Sequence, residues 1–318
     1  MRPIVVAMLL TLATAGCGSD AASVPAPAQP PQGSLLVQET RPCNWLQAPD
    51  KNKCDPVAVV RIGLDGELLE ELEPEPPMPM RPMALSPDRA TIAWAWNWEV
   101  SVMGVTGEAT RTVSEKLLAE NMGETALYPT WTPDGSELLY RWSGANAVDT
   151  WYLLAVESGG LTEVPMPVDC HAMAWAPDGG DVACEVWADS DATEVDIYLV
   201  HMETLEATQL TDSGDAIDSY TPEWSPDGNW LAFSRRADAP ADPADADGIW
   251  LLEVETGKGL RVAAGSLVSP TWSPDGGHLA AYDEEQGKIV IVGRDGSGLT
   301  TLDHEPRRFI APRWLPGD

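Results

Sequence analysis

The pentapeptide Trp272-Ser273-Pro274-Asp275-Gly276 and its near copies constrain the fold more than any other feature of the chain. Related text stands at Leu85-Ser86-Pro87-Asp88, Trp131-Thr132-Pro133-Asp134-Gly135, Trp175-Ala176-Pro177-Asp178-Gly179 and Trp224-Ser225-Pro226-Asp227-Gly228. A last fragment is Trp314-Leu315-Pro316-Gly317-Asp318. The prolines at 87, 133, 177, 226, 274 and 316 lie 46, 44, 49, 48 and 42 residues apart. A period of about 40–50 residues with several strands per unit is the signature of propeller blades. Locally, Ser-Pro-Asp-Gly has the residue types of a type I turn: Ser first, Pro with its preset φ second, Gly last. Such a turn joins two antiparallel strands.

An apolar run follows each turn, at 91–96, 137–142, 181–187, 230–234 and 278–282. Third and fourth strands are read within 195–210, 248–262 and 288–302, where Glu-Thr-Gly or Arg-Asp-Gly marks a hairpin. The C-terminal fragment supplies only a first strand and a turn. The missing three strands are found at 34–40, 56–67 and 68–72. The chain therefore reads as an all-β, six-bladed β-propeller of four-stranded blades, closed by pairing the C-terminal strand with the N-terminal ones. Closure leaves no unpaired inner edge to template aggregation. Residues 113–127 are expected to form a short helical turn on a connecting loop, and 73–83 a Pro-Met linker.

With 318 residues, 44% of them hydrophobic, and 14 Trp against 2 Phe, the chain can build a sizeable core. The repeats favour one domain over 34–318. A net charge of −31 argues against nucleic acid, because phosphate binding needs a basic face. It leaves cations, basic partners or a solvated acidic surface.

The N-terminus has Arg2, an apolar run over 4–15, and the small residues Thr14-Ala15-Gly16 before Cys17. The run is too short for a membrane span. It resembles a bacterial lipoprotein signal, in which the cysteine at this place is acylated and becomes the mature N-terminus. The resemblance implies a signal over 1–17, lipidation at Cys17 and membrane attachment through that lipid only. Gly18, where Asp would retain the protein at the inner membrane, implies the outer membrane of the cell envelope, facing periplasm or exterior. Thr14 departs from the usual Leu, and an ordinary cleaved secretory signal is the alternative. Residues 18–33, small and Pro-rich, suit an extended tether.

With Cys17 set aside, Cys43, Cys54, Cys170 and Cys184 are an even set in a disulfide-permissive compartment, with three pairings possible. The expected pairs are Cys43 with Cys54, clipping an insertion, and Cys170 with Cys184, facing each other across the hairpin of the 177–179 turn. Free thiols and metal ligands are the alternatives; no Cys-x-x-Cys supports metal.

The segments PEWSPDGNWLAF (222–233) and PTWSPDGGHLAAY (270–282) resemble the WD40-like, or PD40, repeats of the TolB family, and the likeness covers 34–318. Arg89 in place of Gly, Ala176 in place of Ser, and the scrambled Pro316-Gly317-Asp318 depart from the pattern and are expected to weaken individual turns. TolB has an additional α/β domain ahead of its propeller, for which this chain has no room. The resemblance thus implies a propeller platform rather than the Tol role. In such propellers partners approach one face and the central channel, near the loops leading into the Trp-bearing strands. The richest of these here, 211–223, carries Asp212, Asp215, Asp218 and Glu223, which suit a basic peptide or a hard cation such as Ca2+, or else make the loop's own turns. Residues 189–196 begin like a calcium loop, but Glu194 stands where Gly is needed and Val200 where Glu is needed.

No Gly-x-Ser-x-Gly, Gly-x-Gly-x-x-Gly or phosphate loop occurs, and His171, His201, His278 and His304 lack ligand spacing. No catalytic residue, metal ligand or cofactor is assigned. The sequence reads as a non-enzymatic, monomeric envelope lipoprotein whose propeller binds a protein or peptide. The alternative is a calcium-dependent, lactonase-like propeller hydrolase or a cation-binding propeller, whose ligands would come from dispersed positions.

Overall fold

The computed structural model describes residues 27, 29–40, 57–72, 83–96, 99–107, 110–113, 125–143, 149–187, 194–212, 217–237, 247–304 and 309–317. Cys17, Cys43, Cys54 and Asp215 lie outside them, as do most of the expected linker and helical turn. The first strands are β1 (Ser34–Thr40), β2 (Val57–Gly63), β3 (Leu68–Leu72), β4 (Ala84–Leu85), β5 (Thr91–Trp96), β6 (Glu99–Gly104) and β7 (Arg111–Thr112). Next come β8 (Thr125–Trp131), β9 (Glu137–Ser143), β10 (Asp149–Ala155), β11 (Leu161–Val164), β12 (Cys170–Trp175), β13 (Asp181–Trp187), β14 (Val195–His201) and β15 (Glu206–Gln209). The chain finishes with β16 (Ile217–Trp224), β17 (Trp230–Ala237), β18 (Gly248–Glu253), β19 (Lys258–Ala264), β20 (Leu267–Trp272), β21 (His278–Asp283), β22 (Lys288–Gly293), β23 (Thr300–Thr301) and β24 (Phe309–Leu315). No helix occurs among the described residues.

These strands make six four-stranded antiparallel sheets. Blade 1 has the order β24-β1-β2-β3, and blades 2 to 6 are β4–β7, β8–β11, β12–β15, β16–β19 and β20–β23. The ring closes within blade 1, where Leu35 faces Trp314 on one side and Ile62 on the other. His304 of the preceding connection ties this seam, reaching the Glu39 carboxylate at 2.7 Å and the Gly66 carbonyl at 3.1 Å. Sheets packed on both faces give apolar runs without alternation, as in Leu279-Ala280-Ala281 and 289–292. The core lies between blades: Leu231, Phe233 and Leu252 of blade 5 pack on Ala183 and Ile197 of blade 4.

The repeated turn builds the ring as well as the hairpins. In each of five blades the turn Asp accepts the N–H two residues on, at Ala90, Ser136, Gly180, Asn229 or Gly277, over 3.0–3.1 Å. The turn hydroxyl donates to that carboxylate from Ser86, Thr132, Ser225 and Ser273, a bond Ala176 cannot make. The turn glycines 135, 179, 228 and 276 have φ between 66° and 79°, a region open to Gly. A Cβ on each would lie 3.5–3.8 Å from the turn proline of the preceding blade, so each of these four turns lies against its neighbour.

The Trp before the turn is an inter-blade staple. Its indole Nε1 donates to the carbonyl just before the equivalent position of the preceding blade: Trp131 to Ala84, Trp224 to Ala174 and Trp272 to Glu223, at 3.1–3.2 Å. Trp314 donates instead to Gln32 at 2.8 Å, and buried Trp175 Nε1 has no partner among the described residues.

Two expectations are corrected here. Residues 217–223 belong to a strand, not a loop, and 125–127 begin β8 rather than continuing a helical turn. The reason is a bulge repeated in the inner strands. Tyr128, Thr221, Ser269 and Ala311 all have φ between 40° and 54°, and each precedes a proline two residues before the Trp. The register shifts at each of these points. Proline removes a ladder donor and is confined within sheets to edges and bulges, so Thr-Pro text read as loop is bulged strand.

Cys170 and Cys184 are disulfide-bonded, with Cα atoms 5.4 Å apart. They are not register partners: Cys184 faces Met173 and Cys170 faces Val186, and the bond spans the bulge between them.

Candidate binding site

Of the four acidic residues singled out in the sequence, the three described ones, Asp212, Asp218 and Glu223, form no common metal-holding group. Asp212 is exposed beside Tyr198, and Asp215 lies outside the described residues. Asp218 accepts the Val195 N–H at 3.1 Å, tying blade 5 to blade 4. Glu223 lies further along β16 and faces the channel. Its carboxylate accepts from Thr271 Oγ1 at 2.9 Å and Trp272 N at 3.2 Å. Among the described residues no three His, Cys, Asp or Glu side chains come together as a metal-holding group. His278 is buried, and burial lowers its pKa against the pull of Asp275 and Asp295. His171 packs beside Arg141, at 3.3 Å, and Trp187.

What the fold does assemble is a cavity of about 470 Å3 where the channel opens among the Ser-Pro-Asp-Gly turns. Every blade contributes the residue preceding the Trp position: Ala84, Thr130, Ala174, Glu223, Thr271 and Arg313. The turn prolines of blades 2 to 6 form the rim, and four of the tryptophans that precede the turns back it. Deeper in the channel, a second cavity of about 70 Å3 is lined by the bulges, with Tyr128, Thr221, Ser269 and Ala311 among its residues.

Among the described residues, three that line the cavity of about 470 Å3 are charged: Arg89, Glu223 and Arg313. Arg313 donates from Nε to the Met83 carbonyl at 3.0 Å and lies 3.7 Å from the Glu223 carboxylate. Arg89 donates to the Trp314 carbonyl. Burial pulls the Arg89 pKa below its ordinary value, Glu223 opposes that, and Arg313 adds to it. These contacts close the seam between blades 1 and 2, where Leu85 replaces the staple Trp. At Arg89 the N–H still makes the turn bond to Ser86 O at 2.8 Å, the backbone takes φ 59°, and the side chain bridges the seam that lacks a staple Trp.

Arg89 and Arg313 were not singled out in the sequence as site residues. A signal existed in the Pro-x-Trp text of Pro222-Glu223-Trp224 and Pro312-Arg313-Trp314, because the residue between Pro and Trp is the one that faces the channel. Nothing local marks Arg89.

A family model described as "TolB beta propeller domain" matches residues 93–298. No curated protein sequence matches the chain. Among solved structures, TolB from Acinetobacter baumannii is similar at a TM-score of 0.68 and 17% identity, over 89% of this chain and 67% of that one. A putative TolB from Agrobacterium tumefaciens gives 0.58 and 16%, over 91% and 100%. A chain of a nidogen/laminin complex gives 0.59 and 12%, over 90% and 99%.

Proposed function

The chain belongs to the TolB β-propeller family, and on that footing we propose that it is a binding platform of the bacterial cell envelope that takes a protein or peptide partner at the turn-bearing mouth of its channel. One observation carries the reading: all six blades present one side chain to a single concave wall, backed by Trp and rimmed by Pro. Its volume of about 470 Å3 falls within the roughly 300–1,000 Å3 usual for ligand sites. The role is binding rather than catalysis, and the chain acts as a monomer.

Lipidation at Cys17, with 1–17 as signal and 18–33 as tether, completes the proposal. Gln32 and Pro27 lie along the turn-bearing side, since Gln32 O accepts from Trp314 and Pro27 lies close to a Cβ built on Gly277 or Gly293. An outer-membrane anchor through Cys17 therefore joins the propeller on that side. The nine residues between Cys17 and Pro27 reach at most about 35 Å when extended.

Site-specific photo-cross-linking in cells tests the platform. A photoreactive residue at Thr130, in the cavity, is expected to capture one discrete polypeptide, and one at Glu206, on an outer strand, to capture none. Equal labelling from both positions, or none from Thr130, contradicts the proposal.

A further inference from the structure

We infer that the turn-bearing mouth recognises a carboxylate of an extended peptide segment, held by Arg89 and Arg313. The inference rests on the platform reading and names the chemistry of the partner.

Charge is the first argument. In a chain of net charge −31, the residues lining this cavity include two guanidiniums and one carboxylate. Glu223 offsets one positive charge and leaves the other within a concave wall whose exposed lining is more polar than apolar. A concave site with an excess of one sign of charge attracts the opposite charge.

The second argument is the donor count. Arg89 uses Nη1 on the Trp314 carbonyl, and Arg313 uses Nε on Met83 O and Nη1 on Pro312 O. Among the described residues, Arg89 Nε and Nη2 and Arg313 Nη2 contact no acceptor. Guanidinium N–H groups match the planar, two-oxygen geometry of a carboxylate.

Backbone strain is the third. Arg89 occupies φ 59° at a place where four other turns carry Gly. A non-Gly residue there is strained, and its side chain is the one that reaches the cavity.

The occupant is a peptide rather than a membrane surface. The Arg side chains sit inside a cup rimmed by prolines, which a flat bilayer cannot enter, and anionic lipid would meet the acidic exterior first.

The test follows indole N–H signals of the full mature protein by NMR. Two probe pairs are titrated: Ac-Gly-Leu-Pro-Asp-Gly-NH2 against its Asn counterpart, and Ac-Gly-Leu-Pro-Gly with a free against an amidated C-terminus. The expected result is a preference of about tenfold or more for the charged member of at least one pair, with shifts at Trp131, Trp175, Trp224 and Trp272. Which pair discriminates identifies a side-chain or a terminal carboxylate as the source. Raising salt from about 50 to about 500 mM is expected to shrink the preference. Arg313→Gln is expected to abolish it and Arg313→Lys to retain part; because Arg313 also holds the seam, the wild-type salt dependence serves as a test that needs no variant. Equal binding of charged and neutral probes, or no binding by any, overturns the inference. Sedimentation with phosphatidylglycerol vesicles that Arg313→Gln abolishes, without peptide discrimination, overturns it in favour of a lipid headgroup. If Thr130 still cross-links a polypeptide while the probes fail, the carboxylate inference alone falls; if both fail, the platform reading falls too.

Discussion

At the scale of single residues, the repeat is a set of hydrogen bonds with known partners. Trp272 donates across a blade boundary to Glu223 O, whereas Trp175 Nε1 is buried without a partner among the described residues. Trp272→Phe is expected to cost about 1 kcal/mol more than Trp175→Phe, because only the first removes a made bond. Urea denaturation of the two variants measures the difference, and equal losses would refute the staple. The turn aspartates predict acid sensitivity. The Asp88 and Asp134 carboxyls are held below the ordinary value of 3.8, by the Ser86 hydroxyl and by the Ser136 N–H respectively. In Asp227 and Asp275 burial pushes upward, but the Ser hydroxyl and a backbone N–H outweigh it. The unfolded chain takes up these protons first as pH falls, so their contribution is complete above about pH 4 and is lost below it. Asp275→Asn is expected to show a shallower loss of stability between pH 5 and 3 than wild type. An unchanged slope would count against this role.

At the scale of elements, the hairpins were legible in the sequence and the bulges were not. Ser-Pro-Asp-Gly states its conformation in four residues. A bulge reads as a residue followed by Pro, the same text that loops use, and only the pairing of β16 with β17 and of β20 with β21, resumed beyond the bulge, makes it a strand. Glu223 therefore passed for a loop carboxylate when it faces the channel. The charge of Arg89 was likewise unreadable, because its destination is Trp314, 225 residues away. One bulge is capped by a buried acid: Glu185 accepts the Thr221 N–H at 2.6 Å. Burial raises the Glu185 pKa above its ordinary 4.5, with the Thr221 N–H and His171 opposing. A raised carboxyl pKa means that the folded state releases its proton less readily, so this group lowers stability as pH rises past its unfolded value. Glu185→Gln keeps an acceptor for Thr221 and removes the charge. It is expected to raise the melting temperature at pH 7 by a few degrees and to change it little at pH 4, by differential scanning calorimetry.

At the scale of the molecule, the six-blade count and its closure followed from one leftover strand at the C-terminus and three unassigned ones at the N-terminus. The mouth did not follow, since it exists only when six inner strands converge. Closure is also where Gly33 matters: with φ 106°, a Cβ there would lie 2.1 Å from Leu315 O. Gly33→Ala is expected to loosen blade 1 selectively, seen as faster amide exchange in β1 and β24 with β17 unchanged. The same seam carries Arg313 into the mouth on β24 and gives Arg89 its carbonyl on Trp314. Amide hydrogen exchange of the wild-type protein, resolved by mass spectrometry of peptic fragments, therefore bears on fold and site together. Protection of 34–40 and 309–315 equal to that of β17 is the result this structure requires, and rapid exchange in those two segments while the other blades stay protected would contradict it.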